Sequence, residues 1–409
     1  MELLLVLFLL SGQVKAFMQF FGLNLPVDFT LITGALLLGF TAYKLIRKNS
    51  FSTSNISFFG IGLLLLFYAW MIFSLFYTHS EQYSREKTIF FLLNIAAFSV
   101  PFFFNLFNIR LFARIFILST IVLALGLLPF QYLDLLKNVT VPGAEGAYTA
   151  IGGLYLTLSE YLGLILVLIL TMREENVFSK RYDPVIVLFV LGLMVLLGAR
   201  GPILFALVVY SFFRLSKITK IRFTIKTKSI VFLSSVFCLL SLSVFLMTRF
   251  PATDTLLRHS FYRFYSLVGG AMDGGTADHS STVRLVLAQE AFQGIFKDLG
   301  SFLFGYGTGS FGYITTGADI RLYPHNIILE IWFELGLVGL LVFLVWIVYI
   351  LSKAPRQPNQ YITYWLLFYL LLNLMQSSSL VDIRTEFAIF ALFAVQNFLV
   401  VKEPKPVLA

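Results

Sequence analysis

Cysteine is nearly absent. Cys238 stands alone in 409 residues, so the chain can form neither an intrachain disulfide nor a thiolate metal cluster. Charge is scarce as well: Asp, Glu, Lys and Arg supply 12% of the chain, where a soluble domain carries about a quarter. That deficit excludes an ordinary water-soluble globule. No Gly-Lys-Ser/Thr ending follows the glycine-rich run Gly305–Gly312, which argues against a phosphate-binding loop there. What the chain has in abundance is apolar surface, with 58% hydrophobic residues, 46 Phe and a mean hydropathy of +0.87. The composition is that of an integral membrane protein, and its aromatics suit lipid-facing and interfacial positions. The net charge of +9 sits in short loops between apolar runs, so it does not imply nucleic-acid binding.

Runs able to cross a bilayer need about 20 apolar residues. They fall near 3–22, 27–46, 56–77, 88–108, 111–133, 150–172, 229–248, 325–351, 361–377 and 382–401. The first run lacks a basic flank and a small-residue cleavage site, and reads as an uncleaved span. The stretch 184–213 is too long for one ordinary span. If the N-terminus is cytoplasmic, most of the thirty basic residues fall on the cytoplasmic side, but only if this stretch crosses twice. The deciding loop is 214–228, which holds Arg214, Lys217, Lys220, Arg222, Lys226 and Lys228. The stretch is therefore expected to be a hairpin turning at Gly198-Ala199-Arg200-Gly201-Pro202. Its short arms would leave Arg200 below the outer membrane surface, in a pocket open to the outside.

The expected fold is an all-α integral membrane protein of about twelve transmembrane helices, with both termini in the cytoplasm. Three regions follow: 1–248, with the first nine spans including the hairpin at 184–213; a large periplasmic loop at 249–324; and 325–409, with the last three spans and a cytoplasmic tail. The loop is too long to be a bare connection, which favours a functional role. Within it, Ser281–Phe296 reads as an amphipathic helix with a Ser/Thr cap and Arg284 in its first turn. A cation there opposes the helix dipole, and a bound anion would turn that penalty into attraction.

On this topology all four histidines, His79, His259, His279 and His325, lie on the outer side. His79 and His259 read as surface loop residues. His279 lies near Asp273 and Asp278, but the spacing fits no standard metal site. His325 differs, because it follows Pro324, opens an apolar run, and precedes Glu330 and Glu334 at helical spacing. A plain helix cap is the alternative role for it. The run Gly305–Gly312 reads as a flexible turn whose backbone can pass close to a substrate. Glu160, near the middle of a span, should face a cavity or a partner. Arg258, Arg263 and Arg321 read as solvated loop residues. An enzyme with these parts needs a substrate activated beforehand, and outside the cytoplasm that means a lipid-linked donor. Two deeply placed arginines would hold an anionic leaving group while a histidine takes the proton of an attacking hydroxyl.

These residues resemble the bacterial O-antigen ligase and O-antigen polymerase family of multispanning membrane glycosyltransferases. The similar elements are Gly198-Ala199-Arg200-Gly201, the Arg284 helix, Leu303-Phe304-Gly305-Tyr306-Gly307-Thr308-Gly309, and Pro324-His325-Asn326 followed by Glu330, Glu334, Gly336 and Gly339. The resemblance covers about 190–350. It implies metal-independent and cofactor-free transfer of a glycan from undecaprenyl pyrophosphate on the periplasmic face of the bacterial inner membrane. By matching position, Arg200 and Arg284 would bind pyrophosphate and His325 would activate the acceptor hydroxyl. Ala199 departs from the family, many of whose members carry Ser or Thr there. The acceptor stays open: a second lipid-linked glycan makes a polymerase, the expected case; a lipid A core sugar makes a ligase; and a protein hydroxyl makes a protein O-oligosaccharyltransferase. A transporter of a lipid-linked or anionic glycan is the competing class. It would place its functional charges near the midplane, and only Glu160 fits that.

Overall fold

The computed structural model describes residues 2–21, 23, 25, 27–48, 55–103, 109–140, 154–171, 183–198, 200–218, 279–353, 361–376 and 379–394. Every regular element among them is helical. In chain order they are α1 Glu2–Leu9, α2 Ser11–Phe20, α3 Phe29–Lys48, α4 Asn55–Ser74, α5 Gln82–Ser99, a 3₁₀ turn Val100–Phe103, α6 Ile109–Thr140, α7 Tyr155–Thr171, α8 Asp183–Leu196 and α9 Arg200–Ile218. They continue with α10 His279–Ile295, α11 Leu299–Phe304, α12 Phe311–Thr316, α13 Ile327–Lys353, α14 Tyr361–Leu374 and α15 Arg384–Ala394.

The 184–213 stretch is two helices: α8 ends at Leu196, α9 starts at Arg200, and Gly198 between them takes φ 70°. That conformation is inexpensive only for glycine, so the break falls where the sequence can accommodate it. Among the described residues, Leu111–Pro129 and Ile327–Ser352 are long and apolar enough to cross a membrane. The run 229–248 lies outside the described residues, as do Arg258, His259, Arg263, Asp273 and Asp278.

The chain divides into two compact units. The first comprises 1–9, 31–112 and 280–409. Its α4 packs on α13 and its α5 on α15, around an aromatic core. Phe67 meets Phe343 at 5.4 Å between ring centroids, Phe98 meets Trp346 at 5.2 Å, and Trp346 meets Phe387 at 4.8 Å. The abundant Phe therefore fills the interior as well as the outer surface, where Phe76 is 86% exposed. Tilted and edge-on pairs at these separations are favourable beyond the area they bury.

The second unit comprises 10–30 and 113–279. Its α7 packs on α8 and α9 and is buried at nearly every position from Leu158 to Ile169. A helix largely apolar on every side belongs in the middle of a bundle, and α7, with Ser159 and Glu160 among its few polar residues, is such a helix. Glu160 lies in α7, half-buried between the buried Ser159 and Tyr161.

Candidate functional site

Several buried polar groups of the first unit meet at the start of α13. Asn326 caps this helix, its side-chain oxygen accepting the backbone N–H of Ile328 at 3.0 Å and of Leu329 at 3.1 Å. Its amide also donates to the Met375 carbonyl at 3.2 Å, past the end of α14. The capping role considered for His325 thus belongs to its neighbour. His325 takes φ 55° and is the one non-glycine residue with positive φ among those described. A left-handed conformation at such a residue costs on the order of 1–3 kcal/mol and persists where its surroundings over-determine it. The imidazole is half-buried against Tyr323, with ring centroids 4.5 Å apart. Burial pushes the Tyr323 hydroxyl up to about 12, and the Asp382 carboxylate adds to the effect. Tyr323 stays protonated near neutral pH.

Helix α13 is broken at Gly336, which has φ 66° and ψ −174°. Such a break deprives the preceding carbonyls of their partners one turn further on. Three donors replace them: Tyr306 N–H reaches the Phe333 carbonyl at 2.9 Å, Gly307 N–H the Glu334 carbonyl at 2.8 Å, and the Trp70 indole N–H the Leu335 carbonyl at 2.9 Å. The glycine-rich run is therefore the cap of a broken helix, with the N–H groups of Tyr306, Gly307 and Gly309 donated to α13. Space explains the glycines. A methyl group on Gly305 would lie 2.6 Å from the Glu334 carbonyl, one on Gly307 2.5 Å from Thr78 Cα, and one on Gly336 against the Leu303 carbonyl oxygen. The close approach expected of this run is real, but it is made to the protein's own backbone. Ser74 and Thr308 hold the loop from the other side, their hydroxyls 2.7 Å apart.

Beneath this loop lies a buried ion trio. Lys87 Nζ, on α5, meets Glu330 Oε1 at 2.5 Å and both carboxylate oxygens of Glu334 at 2.7 Å. The three side chains are 0–1% exposed. Further donors reach the carboxylates: Gly309 N–H to Glu334 Oε2 at 2.9 Å, the Ser379 hydroxyl to Glu330 Oε1 at 2.9 Å, and Leu380 N–H to Glu330 Oε2 at 3.0 Å. Every carboxylate oxygen is thus engaged, as buried charge requires. Lys87 was not singled out from sequence because it sits in the mixed-charge stretch Arg85-Glu86-Lys87. The available signal was helical spacing, since Tyr83, Lys87, Phe91 and Asn94 fall on one face, and all four are buried.

The other expected residues are placed as follows. Arg284 is half-buried on α10, which the structure starts at His279, two residues before the expected Ser281. That puts Arg284 in the second turn, beyond the free N–H groups of the first. The helix packs through Leu287, Ala291 and Ile295 onto Phe311 and Phe333. Arg200 is the first residue of α9 and belongs to the second unit. Arg321, expected in solvent, pairs with Asp382 and ties the loop before His325 to the turn before α15. His79 is exposed and lies beside Tyr306 and Tyr313.

Described residues that are helical throughout, with helices of membrane length, and a buried Lys87–Glu330–Glu334 trio at the start of one of them, are of the α-helical membrane-protein class. Residues 185–344 match the family described as O-antigen ligase. The match falls on the part of the chain that carries the resemblance to O-antigen ligases and polymerases, and it supports a glycan-transferring membrane enzyme. The matched segment contains Arg200, Arg284, His325, Glu330 and Glu334, while Lys87 and Ser379 lie outside it. No curated protein matches the chain.

Proposed function

We propose that this chain is a metal-independent membrane glycosyltransferase that polymerises a surface glycan of the O-antigen kind. The donor is an oligosaccharide on undecaprenyl pyrophosphate, presented on the periplasmic face of the bacterial inner membrane, and the acceptor is a second lipid-linked glycan. The acceptor hydroxyl attacks the anomeric carbon of the donor. The bond from that carbon to the pyrophosphate oxygen breaks, and the electron pair leaves with the pyrophosphate. His325 receives the hydroxyl proton, and Arg200 and Arg284 stabilise the charge on the leaving group.

The observation that carries the reading is His325. It lies within the O-antigen ligase match, in a strained left-handed backbone, beside a helix whose capping is done by Asn326. Strain at a residue with no capping duty fits a chemical role better than a structural one.

The test is a purified assay with a defined undecaprenyl-pyrophosphate-linked oligosaccharide, in the presence of a chelator, with three acceptors offered separately. Lengthening of the lipid-linked glycan supports a polymerase. Transfer to lipid A core makes the chain a ligase, and transfer to a protein hydroxyl makes it a protein O-oligosaccharyltransferase. Movement of the lipid-linked glycan across a vesicle membrane, with no transfer to any acceptor, would replace the enzyme by a transporter.

A further inference from the structure

The Lys87 trio ties together four separate stretches: α5 through Lys87, the glycine-rich loop through Gly309, the start of α13 through Glu330 and Glu334, and the turn at Ser379–Leu380. Its formal charge is one lysine against two glutamates, all removed from solvent. Burying such a group is no efficient route to stability, since well-packed apolar residues of similar volume serve as well or better. What it provides is register: three of the four stretches can reach the carboxylates only when the first two turns of α13 sit at one height and one rotation.

His325 lies five residues before Glu330, and the two are separated by the Asn326 cap alone and the first turn of α13. Its left-handed backbone is a high-energy arrangement that needs fixed surroundings on both sides. The Arg321–Asp382 pair holds the chain before it and the trio holds the helix after it. We infer that Lys87, acting through Glu330 and Glu334, is a positioning residue for His325. The inference rests on the reading of His325 as the group that takes the acceptor's proton.

The experiment uses the full chain purified in detergent, with turnover expressed per folded molecule. The folded fraction is read by size-exclusion chromatography and near-ultraviolet circular dichroism. Lys87→Met is expected to lower turnover on the order of 10²-fold, the cost of a misplacement of about 1 Å in a reacting group, with half-saturation by the donor unchanged within about twofold. Because it leaves two carboxylates facing each other in a buried site, Ser379→Ala is measured beside it. That variant removes one donor to Glu330, leaves the ion trio in place, and is expected to lose about fivefold in turnover through a smaller displacement of the same kind.

A purely structural role would reduce the folded fraction and leave turnover per folded molecule alone. Wild-type turnover in Ser379→Ala, or in folded Lys87→Met, overturns the inference. So does a raised half-saturation with intact turnover, which would place the trio at the donor pocket instead. His325→Asn is run in parallel to separate the two claims. If it retains wild-type turnover, the proton-accepting role itself fails; if it is impaired while both trio variants are not, only the positioning role fails.

Discussion

Gly307 donates its backbone N–H to the Glu334 carbonyl at 2.8 Å, while the side chain of the same glutamate accepts Lys87 and Gly309. One residue of α13 therefore receives the glycine-rich loop through its backbone and the ion trio through its carboxylate. The break at Gly336, the loop that caps it and the buried charges form a single assembly.

That assembly predicts an ordering of glycine substitutions. Gly305→Ala and Gly336→Ala meet both a positive φ and backbone atoms in the way, and each should lose several kcal/mol or fail to fold, on the order of the overpacking cost of 1–3 kcal/mol added to the strain. Gly317 has φ 74° but open space beside it, so Gly317→Ala should lose only about 1 kcal/mol. Thermal unfolding of the detergent-purified variants checks the order. A Gly317 variant as damaged as the other two would contradict this account of the loop.

Much of this was legible in the sequence, and the misses have physical causes. Paired short helices at 184–213 followed from where the basic loops must lie, and the structure places helices there with a glycine at the break. The helix at α10 followed from its amphipathic pattern. Three things did not follow. Lys87 was hidden because a lysine in a charged stretch looks like a solvated one until its partners, more than two hundred residues away, are known. The glycine run signalled close backbone approach but not to what. His325 and Asn326 both stood at the helix start, and only geometry could assign the cap to the second.

Asp319 predicts a pH effect on stability. Burial alone would push its carboxyl up, but the Ser80 hydroxyl at 2.6 Å and the backbone N–H groups of Gln82 and Glu81 outweigh that and hold it below its ordinary 3.8. A carboxylate with a folded pKa below its unfolded one contributes stability above the unfolded value and loses it as pH falls through the folded value. Thermal stability should therefore drop as pH is lowered past about 4, and Asp319→Asn should remove part of that dependence. An identical acid limb in the variant would mean Asp319 carries none of it.

The hairpin is tested by labelling. In a Cys238→Ser background, a cysteine at Gly201 should react with a membrane-impermeant reagent from outside and one at Lys220 should not. Reaction of both from the same side would end the twelve-span topology.

The two arginines are proposed to hold pyrophosphate by the planar fork of the guanidinium, which a lysine does not reproduce. Arg200→Lys and Arg284→Lys should each lose about 10² to 10³ in turnover while the protein inserts and folds. Normal glycan length distributions from either variant would remove that arginine from the site.

The most direct measurement is turnover of His325→Asn beside donor binding in the same preparation. Asparagine adopts the left-handed backbone readily and hydrogen-bonds, but it has no titratable nitrogen. If His325 takes the acceptor's proton, turnover should fall by about 10² to 10⁴ with binding of the undecaprenyl-pyrophosphate-linked donor largely intact. Wild-type turnover in His325→Asn would contradict the mechanism and leave the histidine a structural residue at the mouth of α13.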